Sequence, residues 1–411
     1  MINLKKEQKV SRTDAIKADK QIKKITSRDR LLAALRHQPL DRVPISCYSL
    51  VGWDLDAWYY QQPSYKRLLK LVRESTDCFF LNSLPQLSFG NPADAVIGSA
   101  DEMESEIYSV KKWREGESEF TRKTIHTPTG DLTSLYRQDD SVFTVWALEY
   151  PFKSIDDIDK FLSVDWVPTN MDMTKFLNSQ KKLGSNGLLM PTLSDPICIA
   201  EELFEMSNFM INAIMEPARI KSFLDAIHEM NMTYLKNIFE EGKKVGVNWS
   251  EVVFRICGPE YATPPYFSPD AFASFVTPYL IDMSDLIHQY NGWVRVHSHG
   301  KIGQVLSEIM KCNPDAIDPL EASPDGDIEL HQVKKLIGNR CCLCGNLQMK
   351  LLEIGEPSDV RKAVIQCMND AKSGGGFIIM PTDAPIGVHL PPQVEENYRI
   401  FIETALEYGQ Y

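Results

Sequence analysis

The feature of this sequence that most constrains its fold is a period. Short apolar runs of β character, at 43–50, 78–83, 187–192, 251–256, 294–300, 316–321, 341–347 and 376–383, alternate with helical text. Such alternation predicts a parallel sheet covered by helices. Eight units over this length predict an α/β fold closed as a (β/α)8 TIM barrel. The alternative is an open doubly wound sheet. Against it, no GxGxxG follows the first run, no P-loop occurs, and Gly374-Gly375-Gly376 leads into a strand rather than a helix.

Two segments fall outside the period. Residues 1–25 are lysine-rich without an apolar signal core, and read as a basic flexible leader to a helix capped at Thr26-Ser27. From about 104 to 150 the text turns to short alternating segments joined by Pro128-Thr129-Gly130-Asp131, a β-hairpin or small meander. It is too short for its own core, so 26–411 reads as a single barrel domain carrying this insertion.

The formal net charge of −12 argues against a nucleic-acid partner, and no apolar run is long enough to span a membrane. An odd count of nine cysteines with no secretory signal fits the cytoplasm better than a disulfide framework. Cys341, Cys342 and Cys344 read as small apolar strand residues rather than zinc ligands.

In a barrel, chemistry sits at the C-terminal strand ends. Those ends carry Tyr48, Asn82, Asp195, Glu260 with Tyr261, His297 with His299, Glu321, Asn346, and Thr382 with Asp383. His297 and His299 share one face of a continuing strand, and Gly300 lets the chain turn. Two imidazoles so placed either share a metal ion or are unrelated loop histidines. With Asp383 they would make a two-histidine, one-carboxylate set, as at catalytic zinc or non-haem iron. Glu321 competes as third ligand, its strand neighbouring that of the histidines. Glu260, presented by Gly258-Pro259, and Tyr261 are the candidate acid/base groups. Tyr48, Trp53, Asn82 and Asn346 are candidate substrate contacts. Trp53, Trp58, Tyr59, Tyr60 and Trp146 either line an aryl pocket or simply pack.

The opening Thr26-Ser27-Arg28-Asp29-Arg30-Leu31-Leu32-Ala33-Ala34-Leu35 with Pro39-Leu40-Asp41-Arg42-Val43-Pro44 resembles that of the uroporphyrinogen decarboxylase superfamily. So do His297-Ser298-His299-Gly300, Asp318-Pro319-Leu320-Glu321, Gly345-Asn346 and Gly374 to Thr382. The resemblance implies a (β/α)8 barrel and one of two chemistries. One is metal-free decarboxylation of a polyanionic tetrapyrrole. The other is zinc-dependent methyl transfer involving a corrinoid protein. Decarboxylases carry an arginine-rich segment after the first strand, whereas residues 48–56 hold no arginine and two aspartates. That favours the methyltransferase side. There the thiol-methylating members hold zinc by a His-x-Cys pair and a later Cys. Here His299 stands at the first cysteine position and Asp383 near the second.

The expected function is therefore zinc-dependent transfer of a methyl group from a small methoxylated, in first place aromatic, substrate to the cobalt of a corrinoid protein. A metal-free decarboxylase and a methylcobamide:thiol methyltransferase are the alternatives.

Overall fold

A computed structural model describes residues 25–81, 84, 107–165 and 171–411. The leader falls outside the described residues except at its last residue, and Asn82 falls outside them entirely. Among the described residues twelve strands run in order: β1 (Cys78–Leu81), β2 (Tyr108–Glu115), β3 (Ser118–Ile125), β4 (Leu132–Asp139), β5 (Val145–Glu149), β6 (Gly187–Met190), β7 (Thr192–Ser194), β8 (Val253–Cys257), β9 (Trp293–His297), β10 (Ala316–Asp318), β11 (Cys342–Leu347) and β12 (Phe377–Pro381).

Strands β7 to β12 form one six-stranded parallel sheet in chain order, and β1 pairs with β6 in a second parallel sheet. Isolated parallel bridges Leu189↔Val252 and Ile45↔Ile379 adjoin the ends of these sheets. Helices lie between successive strands from β7 to β12, as the alternation predicts. The longest is Pro217–Val245, stopped by Gly246 at φ 88°, a left-handed position that favours glycine.

The run at 43–50 does not become a strand. Pro44 has no N–H, and after Ser46 donates to the Ile379 carbonyl the chain turns, Leu50 N–H bonding back to the Cys47 carbonyl. The segment before it is fixed by charge. Arg30, one turn into the helix Ser27–Leu35, reaches Asp41 (2.6 Å) and the buried Asp77 (2.8 Å), and Arg42 reaches Asp77 (2.6 Å). Thr26 caps that helix, its side chain accepting the Asp29 N–H.

Residues 108–149 form a four-stranded antiparallel meander β2-β3-β4-β5. After β7 the chain forms two short helices, Pro196–Leu203 and Met206–Met215.

The parallel strands bury both faces. Phe254, Ile256, Val294, Val296, Ile317, Leu343 and Ile379 pack outward with the helices. On the other face Phe79, Leu188, Met190, Val253, Ala316, Cys342, Cys344, Ile378 and Met380 gather around Leu31, Ala34 and Leu35. Leu31, Ala34 and Leu35 lie on one side of the first helix, at helical spacing. No helix among the described residues is long and apolar enough to cross a membrane. All nine cysteines are free thiols, and all but Cys257 are buried.

Candidate functional site

Residues paired in register on parallel strands share a face. Arg255 on β8 pairs with Arg295 on β9, and Asp318 on β10 pairs with His297 on β9. The alternation along each strand therefore turns Arg255, Cys257, Arg295, His297 and Asp318 to the inner face. The lower levels of that face are apolar, while its C-terminal end is charged.

Asp318 is the hub. Its Oδ1 accepts from Arg295 Nε (2.6 Å) and its Oδ2 from His297 Nδ1 (2.8 Å). All three side chains are buried. Burial alone would push the Asp318 carboxyl up, but Arg295 and His297 hold it well below the carboxylate range. The reverse applies to His297. Burial and the Arg255 charge lower it to about 3, so its ring is neutral. A carboxylate can only accept, so the single ring proton sits on Nδ1 and Nε2 keeps its lone pair. Arg295's outer nitrogens contact the sulfurs of Met190 and Met380, and its guanidinium lies 5.2 Å from the Phe79 ring centre.

His299 repeats the arrangement. Its Nδ1 lies 3.0 Å from Glu321 Oε1, and the other Glu321 oxygen accepts the Gly300 N–H. Burial opposes the charged imidazole, but the Glu321 bond outweighs it and raises His299. The two imidazole centres lie 4.6 Å apart, nearly perpendicular. Among the described residues, no three His, Cys, Asp or Glu side chains are disposed to hold a metal ion. Asp383 is exposed and accepts the Ala384 N–H. With both oxygens engaged, Glu321 serves as the partner of His299.

Tyr48 lies beside the pair, its ring 6.2 Å from that of His297. Its backbone is left-handed at φ 56°, an uncommon conformation for a tyrosine. Arg255 Nη2 donates to its hydroxyl, which burial keeps protonated. Glu260 sits on a short turn, Pro259–Ala262, and accepts the Gly258 N–H (2.9 Å). Gly258 is required there, since at φ 125° a Cβ would fall 1.9 Å from Asp195 Oδ1. Burial raises the Glu260 carboxyl toward its neutral form.

The other candidates also make contacts within the fold. Asn346 donates to the Leu320 carbonyl (2.9 Å) and accepts from Cys367. Trp53 is covered by the Arg73 guanidinium at 4.1 Å. Trp58 stacks on Phe143, and the Tyr59 hydroxyl accepts the Val51 N–H. Tyr261 packs against the core. His126, His228 and His288 each bond a carboxylate, Asp131, Asp282 and Asp315. Arg255, Arg295 and Asp318 carry no role in the sequence reading. Their strand parity, matching that of His297, is the signal that finds them.

An acidic group flanks the site. Burial, then Glu202 and Glu260, push Glu201 on the helix Pro196–Leu203 up to about 8 from 4.5. Between those values the folded state keeps a proton that the unfolded chain has lost, so unfolding free energy falls as pH rises. The slope reaches about 1.4 kcal/mol per pH unit. Glu201→Gln should flatten it, read as urea midpoints that diverge from the parent's as pH is raised from about 5 to about 8.

The sequence profile described as uroporphyrinogen decarboxylase (URO-D) matches residues 147–408, more than half of the chain. The chain belongs to the uroporphyrinogen decarboxylase family. Among its relatives is a protein named methylcobamide:CoM methyltransferase MtaA from Methanosarcina barkeri. It is 24% identical over 243 residues, 59% of this chain and 64% of the relative. The counterpart from M. barkeri strain Fusaro is 23% identical over 246 residues, again 59% and 64%. The matched region thus spans just under two thirds of either relative. A solved structure described as a methyltransferase from Methanosarcina mazei shares the fold, with TM-score 0.59 and 16% identity, covering 94% of this chain and 99% of that one.

Proposed function

We propose that this chain is a zinc-dependent methyltransferase. It would act in the cytoplasm and carry a methyl group from a methoxylated substrate, first of all a methoxyarene, to the cobalt of a separate corrinoid protein. We read its two parallel sheets as one closed (β/α)8 barrel, with 26–411 as a single domain, the antiparallel meander as an insertion and 1–25 as a basic leader.

The observation that carries the reading is the pair His297 and His299, each tied through Nδ1 to its own carboxylate and each left with Nε2. Metal-binding histidines show this arrangement because the outer carboxylate fixes the tautomer and makes the free nitrogen more basic. The donors thus fit the imidazole part of a zinc site, to which Asp383 would add a third ligand. Zinc, when bound, supplies Lewis acidity that makes the departing oxygen a better leaving group. Imidazole and carboxylate donors form a harder site than thiolates, which suits an oxygen-linked methyl group.

The chain's own residues do the rest. Asp318 and Glu321 orient the two imidazoles. Glu260, held toward its neutral form, gives a proton to the leaving oxygen. Tyr261 supports it, and Tyr48 and Trp53 contact the substrate. The relatives from M. barkeri favour a second reading, methyl transfer from methylcobamide to a thiol.

Metal analysis and a cobalt assay test the proposal. The purified protein should hold zinc close to one equivalent. With a methoxyarene panel, a reduced corrinoid protein should show the methylcobalamin spectrum. Methylation of a thiol from methylcobamide, with every methoxyarene inert, would replace the first reading by the second. Carbon dioxide release without zinc would replace both by decarboxylation.

A further inference from the structure

A cavity of about 600 Å³ opens at the N-terminal ends of β8, β9 and β10. The histidines and their carboxylates lie at the other end of these strands. Trp293 begins β9 and His297 ends it, so about 13 Å of strand separates the two places. The volume is that of a small-molecule site, about 300–1,000 Å³.

The lining combines an aromatic face with side chains that mostly donate. Trp293 is half-buried, and its Nε1 donates to the Ser250 carbonyl (2.9 Å), which fixes the ring. The Arg36 guanidinium lies 5.2 Å from that ring centre. Arg36 is exposed just past the helix Ser27–Leu35, and its side chain makes no hydrogen bond or ion pair among the described residues. Held only by the ring, it can swing to a ligand. His288 Nε2 is bonded to Asp315 Oδ2 (2.9 Å), and that bond raises the imidazole above its ordinary value. In the charged form Nδ1 is a donor, and it has no partner among the described residues. Asp315 Oδ2 also accepts the Val294 N–H (2.7 Å), so the acid in this lining is already engaged.

Two asparagine amides complete the rim. Asn248 Oδ1 accepts the Ser250 hydroxyl (2.8 Å), which leaves its NH2 group to donate. Asn291 sits at φ 62°, a left-handed position that asparagine tolerates, and its amide bonds nothing among the described residues. The turn that presents it is tightly packed, since a Cβ on Gly292 would fall 2.9 Å from Phe254 and Ile287.

These parts match those of a nucleotide. A base stacks on an indole face. An asparagine amide pairs with the donor and acceptor edge of a purine. A guanidinium fork binds phosphate oxygens, and a charged imidazole beside it adds another donor. The formal charge of −12 argues against a nucleic-acid strand, and the volume suits a single nucleotide.

We propose that this cavity binds a purine nucleoside monophosphate, its base stacked on Trp293 and its phosphate held by Arg36 and His288. The site stands apart from the histidine pair and does not depend on the methyl-transfer reading.

Calorimetric titration of the whole protein with adenosine 5′-monophosphate, adenosine and ribose 5-phosphate tests it. The monophosphate should bind at least about 10-fold more tightly than either part, since each part lacks one set of contacts. Arg36→Met, a change at an exposed side chain, should weaken the monophosphate about 10-fold and leave adenosine unchanged. Asn291→Gly suits the left-handed backbone and should weaken adenosine and its monophosphate alike. His297→Ala should leave all three affinities as they are. Equal binding of the monophosphate and ribose 5-phosphate by the parent protein would overturn the proposal, and so would no binding of the monophosphate. Neither result requires a variant to fold. Binding lost in His297→Ala but kept in Arg36→Met would also overturn it, by placing the nucleotide at the other end of the sheet.

Discussion

An Asp318→Asn variant should lose about 3–5 kcal/mol of stability, although it changes a single oxygen to an amide. Asp318 is fully buried and supplies the only negative charge paired with Arg295 among the described residues. Removing that charge leaves a guanidinium stranded among Phe79, Met190 and Met380, with no other ion-pair partner among the described residues. The cost belongs to the orphaned arginine and not to any intrinsic value of the pair. The double variant Arg295→Met with Asp318→Leu should therefore recover most of the loss, since two apolar side chains suit that part of the core. Urea denaturation followed by tryptophan fluorescence gives the comparison. An Asp318→Asn midpoint equal to the parent's would show that the Asp318 charge does not hold Arg295, and a double variant weaker than either single one would show that the pair itself stabilises the fold.

This pair also shows where sequence reasoning reaches its limit. The α/β alternation is legible because parallel strands covered on both faces read as continuous apolar runs. The polar strand ends are legible for the same reason, standing out against apolar bodies. Register is not written in any one strand. Arg255 and Arg295 look like stray charges within strands until pairing turns them to one face, and only then does Asp318 become the partner of both Arg295 and His297. A parity argument along Arg295-Val296-His297 was open from the text, since alternate residues share a face. Asn346 shows the same limit. It is polar at a strand end, and its bonds to Leu320 and Cys367, distant in sequence, are set by the fold and not written beside it. The run at 43–50 has strand composition, yet Pro44 and the turn at Cys47 limit it to a bridge.

On the zinc chemistry proposed above, His297→Ala is expected to lower methyl transfer by about 10³-fold, the rate equivalent of several kcal/mol of lost Lewis-acid stabilisation, and to remove zinc from the purified protein. The ring is neutral with Nε2 unprotonated, so it is ready to donate without first losing a proton. Its readiness depends on Asp318, which fixes the proton on Nδ1. Asp318→Asn should for that reason cost about 10- to 100-fold in rate beyond its effect on stability, as outer carboxylates of metal-bound histidines do. The two effects travel through one imidazole, so they should not add. In the His297→Ala background, Asp318→Asn should change the residual rate hardly at all. Additive losses would mean that Asp318 acts on the reaction through Arg295 or the wider fold, and full zinc occupancy in His297→Ala would remove this histidine from the metal site. The same cycle on His299 and Glu321 asks whether the second imidazole is held in the same way. Glu321 is less deeply buried than Asp318, its side chain 13% exposed, and is bonded as well to the Gly300 N–H, so its share of the effect should be the smaller one.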